Sequence, residues 1–467
     1  MQKKLLTMAV AGALAVPAIA VAQNTTEVYG TVNMSFGQFR YGEGTNTPFG
    51  DNTAIPGSPT LSASGAVLNQ QPSISKWDVN SGGSNFGVRS RENLGGGLAG
   101  WVQIETGTSM ERSDDASVSP GSRNTAVGMQ GGFGNIFMGQ WTTPWADLDS
   151  LWSVGTVYTS GPVTAIIGRR ETTGTAPNPN ATNNANGLAV AGASNATEAA
   201  GGVGHPFWRR FSQAIFYQSP VMAGVQVKLA YQTNESKANG NTTTNADPSA
   251  YSASVQWAGM GGRARIGAGY DRHKDFTSVG ASDTGYTVKG GWNFGVVDVG
   301  LAYETMKYKC LTQSFINTPA GATLGTNFSQ LPALCGSEGD IKAKQYAVAI
   351  AVPVGPGSIR ASYAVAKDLE GAIGCNSTQN LAASLGTCPG GALGEKISNT
   401  GAKQYNIGYE HRFSKRTNVG VGYAKIDNKA NANFTWSGSP PNQQGVSLTP
   451  LFGSDVSTFF VSMTHRF

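Results

Sequence analysis

The chain has 467 residues and a formal net charge of +5, with 33 Lys and Arg against 28 Asp and Glu. So mild a charge argues against a nucleic-acid-binding protein, which carries a strongly basic surface. Glycine is abundant, at 63 residues, and because glycine destabilises helices but fits tight turns and bent strands, the composition favours an all-β chain.

Residues 1–22 have the pattern of a Sec-type signal peptide. Lys3 and Lys4 precede an apolar stretch, and the small residues AVA form a cleavage site before Gln23. An uncleaved anchor is the alternative, since the apolar run is nearly long enough to span a bilayer, but Pro17 and the many alanines favour cleavage. We predict a signal peptide over 1–22 and one exported domain over 23–467, in which no apolar run approaches 18 residues.

In chain order, the exported part begins with the alternating segment EVYGTVNMSFGQFR and a long polar stretch over roughly 41–78. Two strand pairs follow, SNFGVRSRE with LAGWVQIETGTSM and RNTAVGMQ with NIFMGQW, each joined by a glycine-rich turn. A charged loop separates the pairs, and a very long connection covers about 143–208. The period of two in each segment is that of a strand whose successive side chains point to opposite faces.

The second half repeats this scheme of one tight turn and one long loop. Its strand pairs are RFSQAIFYQ with VQVKLAYQT, SAYSASVQW with RARIGAGYDRH, TGYTVKGGWNF with VVDVGLAYETMKY, AKQYAVAIAV with SIRASYAVAK, and AKQYNIGYEHRF with NVGVGYAKID. Long loops cover 310–341 and 369–400, and the alternating segment VSTFFVSMTHRF ends the chain. The pattern therefore predicts sixteen strands, eight long loops and seven short turns.

An even number of antiparallel strands, with short connections at one end and long ones at the other, is typical of bacterial outer-membrane barrels. A soluble β-sandwich has no reason to segregate its loop lengths in this way. Pairing the last strand with EVYGTVNMSF would close the sheet and leave no unpaired backbone in lipid. We predict an all-β fold, a 16-stranded antiparallel transmembrane β-barrel with long extracellular loops and short periplasmic turns.

The two faces of the predicted strands differ in polarity. In VQVKLAYQ, Val227 and Leu229 lie on one face while Gln226 and Lys228 lie on the other, and QYAVAIAV and QYNIGYEHRF alternate similarly. An apolar outside and a polar inside predict a water-filled lumen instead of a packed core.

Several strings resemble the trimeric general porins of β-proteobacteria, the group that includes the neisserial and Bordetella porins. They occur in the family's order from Glu27 to Phe467: EVYGTVN, FGVRSRENLGGGLAGWVQIETG, RNTAVGMQGGFGNIFMGQWTTP, AIFYQSP, FSKRT and HRF. The loops do not match. The resemblance implies a homotrimeric diffusion porin of the bacterial outer membrane that passes small hydrophilic solutes and ions passively. It also implies that Phe467 is read by the outer-membrane assembly machinery as an insertion signal.

In porins the third long loop folds into the barrel and brings acidic groups opposite arginines of the wall. The resemblance implies that this loop starts within GQWTTPWADLDSLW, so that Asp147 and Asp149 are the candidate acidic groups. The wall arginines that match the family's motifs, or share their face by parity, are Arg89, Arg91, Arg123 and Arg210. Opposite charges across a narrow wet gap would orient dipolar solutes and exclude apolar ones.

Two departures from the family weaken the expected anion preference. Asn85 and Gln140 stand where the family commonly has arginine. Further inward positions by parity are Lys228, Arg263, Arg265, Lys289 and Arg360 against Glu105, Asp298, Glu304 and Asp368. Basic residues still outnumber acidic residues among these inward positions, so weak anion selectivity is predicted.

The sequence contains no motif typical of an enzyme active site, and no metal or cofactor is predicted. The four histidines have no metal-ligand spacing, and the glycine-rich strings precede no helix. The alternative is a substrate-specific or surface-interaction barrel that uses its enlarged extracellular loops. Sparse inward-facing aromatics argue against a sugar channel, and an electron conduit would need a haem motif, which the sequence lacks.

Four cysteines lie in two of the long loops, at Cys310, Cys335, Cys375 and Cys388. An even count in an exported protein predicts disulfides. Proximity in sequence favours Cys310–Cys335 and Cys375–Cys388, although a bridge between the two loops and metal binding are the alternatives.

Overall fold

The computed structural model describes residues 25–45, 70–71, 73–108, 110, 120–155, 166–167, 207–233, 247–274, 281–310, 339–371, 396–397, 399–430, 432, 434 and 453–467. The predicted signal peptide over 1–22 lies outside these residues, as do Cys335, Cys375, Cys388 and the side chain of Cys310. Within the described ranges, no helix has both the length and the apolar character needed to cross a membrane.

Antiparallel strands make up nearly all of the described structure. In chain order they are β1 (Thr25–Tyr41), β2 (Gly44–Thr45), β3 (Gln70–Gln71), β4 (Ile74–Ser81), β5 (Asn85–Gly95), β6 (Leu98–Gly107), β7 (Thr125–Gly131), β8 (Gly134–Thr142), β9 (Arg210–Gln218), β10 (Val225–Gln232), β11 (Ser249–Gly259), β12 (Ala264–Lys274), β13 (Ser282–Asn293), β14 (Asp298–Cys310), β15 (Gly339–Val354), β16 (Gly357–Ala366), β17 (Leu369–Glu370), β18 (Lys396–Ile397), β19 (Ala402–Arg412), β20 (Thr417–Asn428) and β21 (Val456–Arg466). Among the residues described above, one short helix, α1 (Pro144–Asp147), and the 3-10 turns Leu148–Leu151 and Met260–Gly262 complete the elements.

The strands close into one barrel. Apart from β2 and β3, which pair only with each other, successive wall strands pair with one another, and β1 pairs with β21 from Thr31↔Arg466 to Tyr41↔Val456. Because β4 and β5 pair with successive halves of β1, they form one wall strand, and the two-residue strands β17 and β18 only extend the sheet between β16 and β19. The barrel therefore has sixteen strands, and the predicted fold is confirmed.

The strand built from β4 and β5 begins earlier than the sequence predicted. The loop was predicted to extend from residue 41 to about residue 78, and this end point was wrong because β4 already starts at Ile74. Residues 82–84 interrupt the alternation, with Gly83 at a φ of 70°, and inward side chains are even-numbered in β4 but odd-numbered in β5. A period-of-two search loses a strand across such an irregularity.

The predicted polarity of the two faces is confirmed along the wall. Leu229, Val348 and Ile407 point outward and are exposed, while Gln345 and Asn406 point inward and are buried. The outer surface is thus a continuous apolar band, which suits contact with lipid.

Tyrosines form a belt on the outer face of β10–β20, toward the long-loop ends. Four direct cross-strand pairs anchor it, and its members are Tyr231, Tyr251, Tyr270, Tyr286, Tyr303, Tyr346, Tyr363, Tyr405 and Tyr423. Tyrosines whose ring lies in an apolar layer and whose hydroxyl reaches water mark a membrane interface. On the described strands β1–β8, by contrast, no tyrosine faces outward, since Tyr29 and Tyr41 point into the lumen.

Candidate functional site

The third long loop, L3, turns into the barrel directly after β8. Thr143 caps α1 by accepting a hydrogen bond from the backbone N–H of Ala146 at 3.2 Å, and Pro144 supplies a backbone angle suited to the first turn. A 3-10 turn, Leu148–Leu151, continues the loop along the inner wall. Capping and proline therefore fix the direction in which L3 enters the lumen.

L3 rests on wall positions that lack a side chain. Trp145, Leu148 and Trp152 are fully buried beneath the loop. A methyl group at Gly267 would lie 2.6 Å from the Leu148 side chain, and one at Gly300 would overlap the carbonyl oxygen of Trp152. Inward-facing glycines on β12 and β14 thus form the seat of the loop.

Two lysines of the wall bind the two carboxylates at the start of L3. Lys228 on β10 contacts Asp147, and Nζ of Lys289 on β13 lies 2.6 Å from Oδ1 of Asp149. Lys289 is fully buried and also lies 2.7 Å from Oε1 of Glu304. Because a buried charge is tolerated only when it is paired and hydrogen-bonded, this triad fixes the loop against β13 and β14.

The wall also binds the backbone of L3. Nε of Arg265 donates to the carbonyl oxygen of Leu151 at 2.6 Å, and Arg360 donates to that of Val154 at 3.2 Å. Further along, the Asn406 side chain donates to the carbonyl oxygen of Gly155 at 3.0 Å. L3 therefore follows the wall from β10 to β19.

On the wall formed by β1, β5, β6 and the start of β7, a second group of charged side chains lines the lumen. Oε1 of Glu105 accepts a hydrogen bond from Nε of Arg123 at 2.6 Å, and its other oxygen accepts one from the Tyr29 hydroxyl at 3.0 Å. One step toward the short turns, Arg89 pairs with Glu27 and lies over the Tyr29 ring. Strand register brings these residues together, since Tyr29 faces Gly87 and Gly87 faces Glu105.

The other two predicted arginines lie at the edges of this group. Nε of Arg210 donates to the Asn124 side chain at 2.9 Å, next to Arg123 and at the base of L3. Arg91 faces Thr25 in register and is exposed near the short-turn end. Arg123 and Arg210 therefore lie on the long-loop side of Tyr29, Arg89 lies two residues nearer the short turns, and Arg91 lies nearer still.

The two predicted aspartates do not face those arginines. Asp147 and Asp149 are turned toward the wall on which L3 rests, where they bind Lys228 and Lys289. The carboxylates beside Arg89 and Arg123 are instead Glu27 and Glu105. Parity had assigned Glu105 to the lumen, but the path of L3, which has no periodic pattern, could not be predicted.

At the two positions where the family commonly has arginine, neutral side chains make backbone contacts. Gln140 donates to the carbonyl oxygen of Arg123 at 3.0 Å, and Asn85 donates to that of Gly83 at 3.0 Å. These residues support the local backbone and contribute no charge to the lumen.

More aromatic side chains face inward than the sequence indicated. Trp101, Phe137, Trp141 and Phe216 form a cluster on the inner face of β6–β9, with ring centroids 4.9 to 5.8 Å apart. The expectation of sparse inward aromatics was wrong there, because the residues come from three separate strands, β6, β8 and β9. Strand register alone brings them together.

The sequence matches the family described as Gram-negative porin over residues 7–431. The chain belongs to the Gram-negative porin family. No match was found among curated proteins.

Solved porins share the fold. An anion-selective porin from Comamonas acidovorans is 20% identical with a TM-score of 0.60, over 95% of this chain and 100% of that chain. OmpT of Vibrio cholerae in its trimer form is 13% identical with a TM-score of 0.51, over 95% and 99%. OmpF of Salmonella typhi, in complex with daunomycin, is 14% identical with a TM-score of 0.50, over 95% and 98%.

Family membership and a closed sixteen-stranded barrel identify this protein as a diffusion channel of the bacterial outer membrane. Its fold is that of a passive channel, narrowed on one side by L3 and lined by arginines and glutamates on the other.

Proposed function

We propose that this porin is a homotrimeric, weakly anion-selective general diffusion channel for small hydrophilic solutes and ions, without catalytic activity. One observation carries the selectivity: two lumenal arginines are more exposed than their glutamate partners, whereas on the L3 side Asp147 is more exposed than Lys228, at 43% against 12%, which keeps the anion preference weak. The Arg123 side chain is 28% exposed against 12% for Glu105, and Arg412 is 58% exposed against 10% for Glu410.

The exposed member of an ion pair dominates the potential that a passing ion meets. Carboxylates that are buried behind arginines neutralise part of the charge but are themselves reached by few ions. Arg89 and Glu27 are about equally exposed, so their contributions largely cancel. A small positive excess remains, which favours anions weakly and is reduced by salt, because screening acts over about 10 Å at ordinary ionic strength.

The tyrosine belt supports a trimer. It covers the outer face of β10–β20 and is missing from the described strands β1–β8, whose outer face is also apolar. Outward aromatics on the described strands β1–β8 are limited to the Phe36–Trp77 pair and Phe86, with no tyrosine, whereas a wall in lipid is expected to carry a continuous interfacial belt. We infer that β1–β8 lie against neighbouring copies, and the trimer form of Vibrio cholerae OmpT, a barrel of similar fold, supports this assembly.

The contacts of Phe467 support its proposed part in membrane insertion, which would follow export through the signal peptide over 1–22. The backbone of Phe467 exchanges two hydrogen bonds with Gly30, at 3.1 and 3.2 Å, beside the closing seam of the barrel. Its side chain is 48% exposed on the outer face, where the assembly machinery can reach it.

Liposome swelling tests passive, non-specific diffusion. Vesicles that contain the purified protein are diluted into isotonic solutions of neutral sugars from a pentose to a tetrasaccharide. We expect swelling rates that fall smoothly with solute size and do not saturate with concentration. Saturation by one solute, or swelling with only one sugar, would support the substrate-specific alternative.

A further inference from the structure

A group of six lysines lies on the outer face of the barrel at its extracellular end. They come from β14, β15, β19 and the residue after β16. The strand lysines alternate in step with the outward-facing residues, and the lysine after β16 lies over an outward-facing tyrosine, so all six belong to the lipid-facing surface. This lysine patch consists of Lys307, Lys309, Lys342, Lys344, Lys367 and Lys403.

Strand register crowds these cations together. Lys307 and Lys342 face each other directly across β14 and β15, and Lys344 is the next outward residue of β15. Like charges at directly opposed positions destabilise a strand pair. A counter-charge is therefore required for this arrangement to be stable.

The carboxylates of the protein supply only part of that counter-charge. Asp340 lies 2.7 Å from Lys307, and Glu370 lies 2.8 Å from Lys344. Among the described residues, the other four lysines, Lys309, Lys342, Lys367 and Lys403, make no ion pair. The adjoining loop stretches 311–338 and 372–395 contain a single acidic residue each, so the patch keeps an excess of positive charge whatever their path.

The patch lies just beyond the tyrosine belt. Lys344 and Lys403 are each two residues past a belt tyrosine, and Nζ of Lys367 lies 5.5 Å from the ring centroid of Tyr346. At about 3.3 Å per residue, the lysines lie roughly 7 to 20 Å outside the belt. Since the belt marks the edge of the hydrocarbon layer, the ammonium groups reach the lipid headgroups.

We propose that the lysine patch binds the phosphate groups of phosphorylated glycolipid, the lipopolysaccharide of the outer leaflet. Each phosphate accepts charge-assisted hydrogen bonds from two or more lysines and relieves the repulsion between Lys307 and Lys342. The site is separate from the lumen, so its function does not depend on the proposed ion selectivity.

Binding can be measured by native mass spectrometry of the delipidated, folded protein titrated with purified bis-phosphorylated lipid A. The patch variant is Lys309→Gln/Lys342→Gln/Lys403→Gln, which removes three of the four lysines without ion pairs and keeps Lys367 over the Tyr346 ring. The matched control is Arg263→Gln/Lys415→Gln/Arg416→Gln, which removes three exposed cations from the short turns at the opposite end. Dephosphorylated lipid A and inorganic phosphate serve as further probes.

We expect the patch variant to bind lipid A at least about tenfold more weakly than the control and the wild type. Dephosphorylated lipid A should bind all three proteins as weakly as the patch variant binds lipid A, and inorganic phosphate should not displace the lipid. The variant Asp340→Asn/Glu370→Gln removes the two carboxylates that pair with patch lysines, and it should bind lipid A more tightly than the wild type. Equal affinity of patch variant and control, or no effect of removing the phosphates, would overturn the proposal.

Discussion

Arg89 and Arg123 are the side chains on which the proposed selectivity depends most directly. Both project into the lumen from the wall that carries Tyr29, and each has a glutamate within contact distance. Removing an arginine leaves that glutamate uncompensated, so the local charge changes by one unit and the remaining group attracts cations.

Arg89→Ala and Arg123→Ala are therefore expected to shift the reversal potential in a salt gradient toward cation selectivity. Glu105→Gln should shift it toward anions. Arg272→Ala is the matched control, since Arg272 lies on the outer face of β12 and should leave the potential unchanged. If neither arginine variant moves the potential, these residues do not control selectivity.

At this scale the sequence predicts which way a strand residue points but not what it binds. Alternation assigned Lys228, Lys289 and Glu105 to the lumen correctly, because parity persists along an uninterrupted strand. The partners of Asp147 and Asp149 were not predictable, since they come from strands more than 80 residues away in sequence. Only the closed barrel brings those strands under the loop.

At the level of elements, L3 is held to the wall by one deeply buried ion cluster and a more exposed pair. Lys289 has no exposed surface and contacts both Asp149 and Glu304, while Asp147, the partner of Lys228, is 43% exposed. The buried cluster should therefore contribute much more than the exposed pair to the position of the loop.

Lys289→Ala would leave two buried carboxylates without a cation, at a cost of about 3–5 kcal/mol. We expect L3 to leave its seat, so that single-channel recordings show greater current noise and a changed conductance. Lys228→Ala is the control, with an expected effect on the order of 1 kcal/mol or less because its partner remains solvated. Quiet, unchanged channels for Lys289→Ala would refute the proposed anchor.

The four cysteines of the two long loops lead to a prediction about disulfide pairing. We expect the bridges Cys310–Cys335 and Cys375–Cys388, each closing one long polar loop and stabilising it by about 3 kcal/mol. Peptide mapping without reductant checks the pairing. A peptide that joins one of the first two cysteines to one of the last two would contradict it, and free thiols would exclude both bridges.

For the whole molecule, barrel closure and loop asymmetry were readable from the sequence, whereas assembly was not. Sixteen alternating segments with short and long connections specify a closed barrel almost uniquely. The trimer hypothesis came from resemblance. Only the three-dimensional arrangement reveals that tyrosines such as Tyr251, Tyr303 and Tyr405 lie on one side of the barrel and not the other.

If β1–β8 form the subunit contact, a charge placed on their outer face should separate the trimer. Val127 and Met138 are exposed there in the single chain. We expect Val127→Arg/Met138→Arg to migrate as a monomer in unboiled detergent gels on which the wild type migrates as a trimer. Leu229→Arg/Leu301→Arg, on the tyrosine-bearing side, is the control and should remain trimeric; a trimer from the first variant, or a monomeric wild type, would contradict the assignment.

The central claim is that this protein forms a water-filled, weakly anion-selective channel in the outer membrane. Recording from single insertions in a planar bilayer under a tenfold salt gradient tests it most directly. The account predicts conductance that rises with salt concentration, closure in three equal steps, and a small reversal potential of the sign set by anions. No ion conductance, or a reversal potential close to the limit for cations alone, would contradict it.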